Sequence, residues 1–217
     1  MAAVDDAVGG DVQIVADGLD EAVLAVEVGV LQDAVAVVAG DELGDMPEFG
    51  VMLKMDADYD QIRYYGYGPN ENYVDRREGA RLGIFKTTTR ENVSKYLVPQ
   101  ECGNRCDVRW LSLTASDGRG VQFVGAEPLS VSVWNCTQES LDKARHSNEV
   151  EPLADALTVN IDRTQTGVGG TDTWSLKARP SDQSRLLEKH YACRFTIIPC
   201  NGEAETIRNG RSLFRNQ

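Results

Sequence analysis

From residue 46 onward, apolar and polar residues alternate in short runs. The runs are Phe49–Met55, Gln61–Tyr67, Val121–Val124, Leu129–Trp134, Leu157–Asp162 and Tyr191–Ile198. A period of two places one apolar face on a pleated strand, and the Val, Ile, Tyr, Phe, Trp and Thr content suits that surface. Gly, Pro, Asn and Asp clusters punctuate the runs at Gly66–Asn70, Ser116–Gly120 and Gly167–Gly170, where turns need those residues. Two segments read as short helices: Gln138–Arg145, with Thr137 as its cap, and Arg90–Tyr96. Short strands separated by turn signals predict an all-β, antiparallel β-sandwich over residues 46–200. The tail, residues 201–217, is polar and is expected to be loosely held.

Residues 1–45 have a different texture. Thirty-seven of these 45 residues are Val, Ala, Asp, Glu or Gly, and there is no aromatic residue, Ser, Thr, Pro or Cys. All five residue types have codons beginning with G, the bias expected when a GC-rich gene is read on the wrong strand. The segment therefore reads as a mistranslated or disordered extension that should lie apart from the sheet. The alternative is a genuine acidic, Ala/Val-rich segment.

Charge sharpens this division. The net charge of -12 is carried by residues 1–45, which hold eleven carboxylates and no Lys or Arg. The remaining 23 acids and 22 bases leave the main body close to neutral. A body without a basic face is not a nucleic-acid binder. No apolar run approaches the ~20 residues that cross a bilayer, and the N-terminus lacks a signal-peptide pattern, so the default expectation is a cytoplasmic protein away from membranes. Five cysteines, an odd number, fit reduced thiols. Cys102 and Cys106 have the spacing of half a zinc site, but no second pair follows; small buried apolar residues are the simpler reading.

Three blocks are more specific. Residues Tyr64 to Arg76 read YYGYGPNENYVDR, residues Pro99 to Arg105 read PQECGNR, and Asp162 precedes GVGGTDTW at Gly167 to Trp174. In this order they resemble the G-x-G-P-x-E-x-Y-x-D-R, P-Q-E-N-G-x-R and D-x4-G-x-G-G-D-D-S-W blocks of the large β-galactosidases whose catalytic domain is a TIM barrel. Met46–Gly50 and Arg194–Pro199 are similar to the strands on either side. The chain departs from the family pattern at Cys102, Thr171 and Thr173. The resemblance implies the C-terminal domain or small chain of such an enzyme, a galactose mutarotase-like supersandwich that is here incomplete on its N-terminal side.

Retaining glycosidases use two carboxyl groups about 5–5.5 Å apart. The resemblance assigns both to the barrel and none to this chain, so the chain alone is expected to hydrolyse nothing. It also implies that Trp174, with Asp172 and Gly170, contacts a galactoside substrate: an indole face suits the C–H face of a pyranose. Glu101, Arg105 and His146 are the supporting candidates. Asp75 and Arg76 read as a pair within a turn. The implied partner is the catalytic barrel domain or large subunit. No cofactor is expected on this chain, any Mg or Na belonging to the catalytic partner. A free-standing carbohydrate-binding module and an inactive gene remnant remain open alternatives.

Overall fold

The computed structural model describes residues 8–13, 35–38, 46–170, 175, 178–188 and 190–215. Among the described residues there are ten strands: β1 (Val8–Gln13), β2 (Val35–Val38), β3 (Glu48–Asp56), β4 (Gln61–Gly68), β5 (Arg81–Thr88), β6 (Arg105–Thr114), β7 (Arg119–Trp134), β8 (Ala156–Gln165), β9 (His190–Cys193) and β10 (Phe195–Asn201). Eight form one antiparallel sheet in the order β1-β3-β8-β7-β6-β4-β5, with β10 also paired to β7; β2 and β9 form a second sheet. The protein is an all-β sandwich with few helices.

Alternation explains the core. Val51 pairs with Ile161, Leu53 with Val159 and Met55 with Leu157. Val131 and Val133 continue the same face. Leu111 opposite Phe123, Leu113 opposite Val121, and Ile62 and Tyr64 on β4 extend it across the sheet. These residues form one buried cluster, joined by Tyr191 and Cys193 of β9. The Phe49 and Tyr191 rings meet at 5.6 Å. Burying a Val, Leu, Ile or Phe contributes about 1.5–3 kcal/mol each, so this face dominates stability. The other face is polar yet also buried, with Ser130, Ser132, Thr158, Asn160 and Asp162. Such groups need partners, and the loops described below supply several of them.

The helices are minor elements: α1 (Thr89–Asn92), α2 (Gln138–Lys143) and α3 (Gly202–Arg215). Thr137 caps α2, its side chain accepting the Ser140 amide. The segment expected at Arg90–Tyr96 is a single turn capped by Thr88. The expectation of a loose tail is corrected: α3 packs on the sheet, and Gln122 Nε2 donates to the Thr206 carbonyl at 2.8 Å. Gly210 lies against the Trp110 ring, where a Cβ would come within 2.2 Å of Cδ1. Glu203 pairs with Arg63 and Lys86, each at 2.9 Å.

The acidic segment is also corrected in part. Rather than standing apart, β1 pairs with β3 at the sheet edge and β2 pairs with β9. The rest of residues 1–45 lies outside the described residues. The run at Tyr191–Ile198 divides at Arg194 into two strands that belong to different sheets. Val121–Val124 and Leu129–Trp134 are instead one strand of 16 residues. Among the described residues no helix is long and apolar enough to cross a membrane.

Candidate sugar-contacting face

The first motif block leaves the end of β4 through Pro69 and folds back over the second block. Asn72, 1% exposed, is the fastener. Its Nδ2 donates to the Tyr67 and Asn70 carbonyls, both at 3.0 Å, and its Oδ1 accepts the Cys106 amide at 2.9 Å. Its backbone N–H donates to the Asn104 carbonyl at 2.9 Å, and Asn104 Nδ2 returns to the Asn72 carbonyl at 2.9 Å. Ser130 on the polar sheet face then donates to Asn104 Oδ1 at 2.9 Å. One pair of asparagines thus joins two loops and the sheet beneath them, with buried amides satisfied on both sides.

Glu71 is a second junction. Its carboxylate accepts from Arg76 at 2.6 Å, Ser94 at 2.5 Å, the Gly103 amide at 2.8 Å, and Tyr96. Burial works against ionisation here, but Ser94, Tyr96, Gly103 and Arg76 outweigh it and hold the carboxyl below its usual range. A polar cleft of about 550 Å³ lies beside it, lined by Asn70, Glu71, Asn72, Asp75, Arg76 and Glu78 among others.

Glu101 faces inward. The buried Tyr73 hydroxyl donates to it at 3.3 Å. Burial, followed by the nearby Glu48 carboxylate, pushes its carboxyl up to about 8, against the pull of hydrogen bonds from Gln165 and Tyr73. Asp162, which opens the third block, is likewise raised, first by burial and then by Glu48 and Glu101. Glu48, Glu101 and Asp162, distant from one another in sequence, therefore share one buried region. Burial of Tyr73 also raises its phenol.

Arg105 is buried. Its Nε donates to the Tyr64 hydroxyl at 2.9 Å, and Nη1 to the Gly103 and Asn104 carbonyls, both at 3.0 Å. Its guanidinium also lies 5.7 Å from the Tyr64 ring centroid. These contacts suit a loop brace. His146 is on the surface and is not brought to this group; its Nδ1 lies 3.1 Å from Glu149 in a single 3₁₀ turn.

The third block is held from two sides. Thr166 Oγ1 and the Gly167 amide both donate to the Ser184 carbonyl, at 3.1 and 2.6 Å. The Val168 and Gly169 amides donate to Asp75, at 3.2 and 2.7 Å. Gly170 is exposed but sterically fixed: a Cβ would come within 1.9 Å of the Ala178 carbonyl oxygen. Asp172 and Trp174 lie outside the described residues. Asp75 does not pair with Arg76 within the turn as the sequence suggested; Arg76 goes to Glu71 and Asp75 to the glycine loop. The contacts of Asp75 and Asn72 were missed because their partners are distant in sequence.

The cysteines follow the simpler reading. All five are free and buried.

Comparison with known proteins agrees with this convergence of motif blocks. The family model described as β-galactosidase small chain matches residues 15–197, beginning inside the acidic segment. The β-galactosidase of Priestia megaterium is 35% identical over 164 residues, covering 76% of this chain and 16% of that protein. That of Halalkalibacterium halodurans is 38% identical over 136 residues, covering 62% and 13%. That of Lactobacillus delbrueckii subsp. bulgaricus is 40% identical over 143 residues, covering 64% and 14%. The chain therefore spans only a small part of the curated relatives it matches. With a family model covering most of its length and three motif blocks folded onto one another, the chain belongs to the β-galactosidase small-chain family.

Proposed function

We propose that the chain is the sugar-contacting C-terminal part of a β-galactosidase that hydrolyses terminal, non-reducing β-D-galactose residues. In this reading the catalytic carboxylates, and any Mg or Na, belong to a barrel domain or large subunit. The chain contributes Gly170, Asp172 and Trp174 as substrate contacts and needs no cofactor of its own. Glu101 and Arg105 brace the loops that present them, and His146 stands further off as a surface residue. The observation that carries the reading is the welding of the three family blocks into one unit: Asn72 to Asn104, Glu71 to Gly103, Asp75 to Val168 and Gly169. Side chains that bridge loops so far apart in sequence hold residues 167–170, the stretch that leads in sequence to Asp172 and Trp174, on a rigid scaffold, as a binding loop requires.

The test is complementation. Purified alone, the chain should not turn over a chromogenic galactoside. Mixed with a β-galactosidase catalytic fragment that lacks the corresponding region, it should restore hydrolysis. Galactoside binding by the isolated chain, with no restoration, would instead favour a free-standing binding module. An insoluble product would favour a remnant.

A further inference from the structure

We infer that Asp75 is a positioning residue for the glycine loop at residues 167–170, which carries the proposed sugar contact Gly170 and leads in sequence to Asp172 and Trp174. The inference rests on the proposed function for the role of that loop, and on geometry for the clamp. Asp75 presents two carboxylate oxygens to two successive amides, Oδ1 to Val168 N at 3.2 Å and Oδ2 to Gly169 N at 2.7 Å. The approach is close enough to dictate residue type. A Cβ on Gly167 would fall 2.4 Å from Asp75 Oδ2 and 2.5 Å from its Cγ, and one on Gly169 would fall 3.1 Å from Oδ2. Glycine at these positions lets the backbone reach the carboxylate.

The clamp is itself held. Asp75 sits in the tight turn closed by Tyr73 and Arg76, whose backbone groups bond at 2.9 and 3.4 Å. Tyr73 anchors the turn in the interior, and the Arg76 guanidinium lies 5.3 Å from its ring centroid. On the far side, Ser184 fixes Gly167 and the Ala178 carbonyl confines Gly170. Among the described residues the Asp75 carboxylate makes no ion pair and accepts from the two amides. The contact is exposed, which limits its worth to the stability of the whole fold. Its effect falls on loop placement, where a displacement of about 1 Å can cost up to 100-fold in rate.

The experiment compares Asp75→Ala, Asp75→Asn and Trp174→Ala with the parent. Amide exchange is measured on the chain, and steady-state kinetics on the chain assembled with its catalytic fragment. In Asp75→Ala, exchange at Val168 and Gly169 should accelerate about tenfold while the Cys106 amide, held by Asn72, stays protected. In the assembly kcat/KM should fall about tenfold, mainly through KM, with the melting temperature nearly unchanged. Asp75→Asn keeps one carbonyl acceptor and should fall between the two. Unchanged exchange at Val168 and Gly169 would remove the clamp. Faster exchange with unaltered kcat/KM, while Trp174→Ala does impair it, would remove the positioning role and leave the sugar-contact reading standing. Kinetics indifferent to Trp174→Ala would sink that reading and the positioning role with it, while the exchange data would still decide the clamp.

Discussion

Replacing Glu101 by Gln should stabilise the chain in alkaline solution and leave it almost unchanged in acid. The Glu101 carboxyl is pushed to about 8 by burial and by Glu48, despite hydrogen bonds from Gln165 and Tyr73. In the unfolded chain it titrates near 4.5. Between those values the folded state holds a proton that the unfolded state has released. Stability must therefore decline as pH rises from about 4.5 to about 8, and be level above. At 1.36 kcal/mol per tenfold, the gap corresponds to roughly 5 kcal/mol. Glu48 and Asp162 share the same region, and proton uptake by one relieves the others, so about half, roughly 2 kcal/mol, is expected for one substitution. Gln removes the ionisable group yet keeps an acceptor for Tyr73. Urea unfolding at pH 5 and pH 9 measures the difference directly. The variant should gain about 2 kcal/mol on the parent at pH 9 relative to pH 5. A variant-to-parent difference that is the same at both pH values would refute the buried-acid account.

Two further outcomes follow from the loops. Glu71→Ala removes the acceptor shared by Arg76, Ser94, Tyr96 and Gly103 and should cost about 2–4 kcal/mol in urea unfolding; the loss should shrink as pH falls below about 4.5, where the unfolded-state carboxyl takes up a proton that the folded one, held lower, does not yet bind. In the assembled enzyme, Trp174→Ala should lose about 1–3 kcal/mol of transition-state binding, read from kcat/KM, with little change in melting temperature; a variant that unfolds while its folded fraction keeps parental kinetics would make Trp174 a core residue instead.

The parts of the fold legible in the sequence are those where one face meets the core. Leu157–Asp162 alternates strictly because its other face carries Thr158, Asn160 and Asp162, and Phe49–Met55 does so with the exception of Met52; both are strands of the expected phase. By contrast β6 is buried on both faces, with Trp110 beneath α3 and Leu111 in the core, and its alternation changes phase at Trp110–Leu111, next to a register shift against β7, so no single period runs through it. β5 is an edge strand with Leu82 and Ile84 exposed, so it carries little periodic signal. The tail helix was missed because its sheet-facing stripe includes Thr206 and Gly210, residues chosen for fit against Gln122 and Trp110 and not for hydropathy. At the site, motif order identified the blocks. What the motifs could not give was partnership. Asn72 with Asn104 and Asp75 with Gly169 are contacts between loops, and no local period encodes them.

The buried thiols have a use beyond packing. Burial pushes Cys102 and Cys193 to about 12, and Cys106, Cys136 and Cys200 to about 11. A cysteine reacts as its thiolate and only where reagent can reach it, so the native chain is close to inert towards alkylation. Each sulfur nevertheless occupies a different neighbourhood. Cys102 lies within the fastened loops, Cys106 at the start of β6 beneath them, Cys136 beside α2, Cys193 on β9 of the small sheet and Cys200 on β10 next to α3. A reagent must wait for the neighbourhood to open, and the waiting time at each sulfur measures the local opening free energy. The five cysteines thus act as position-resolved clocks for the breathing of the sandwich, ticking separately for its loops, its core and its C-terminal helix.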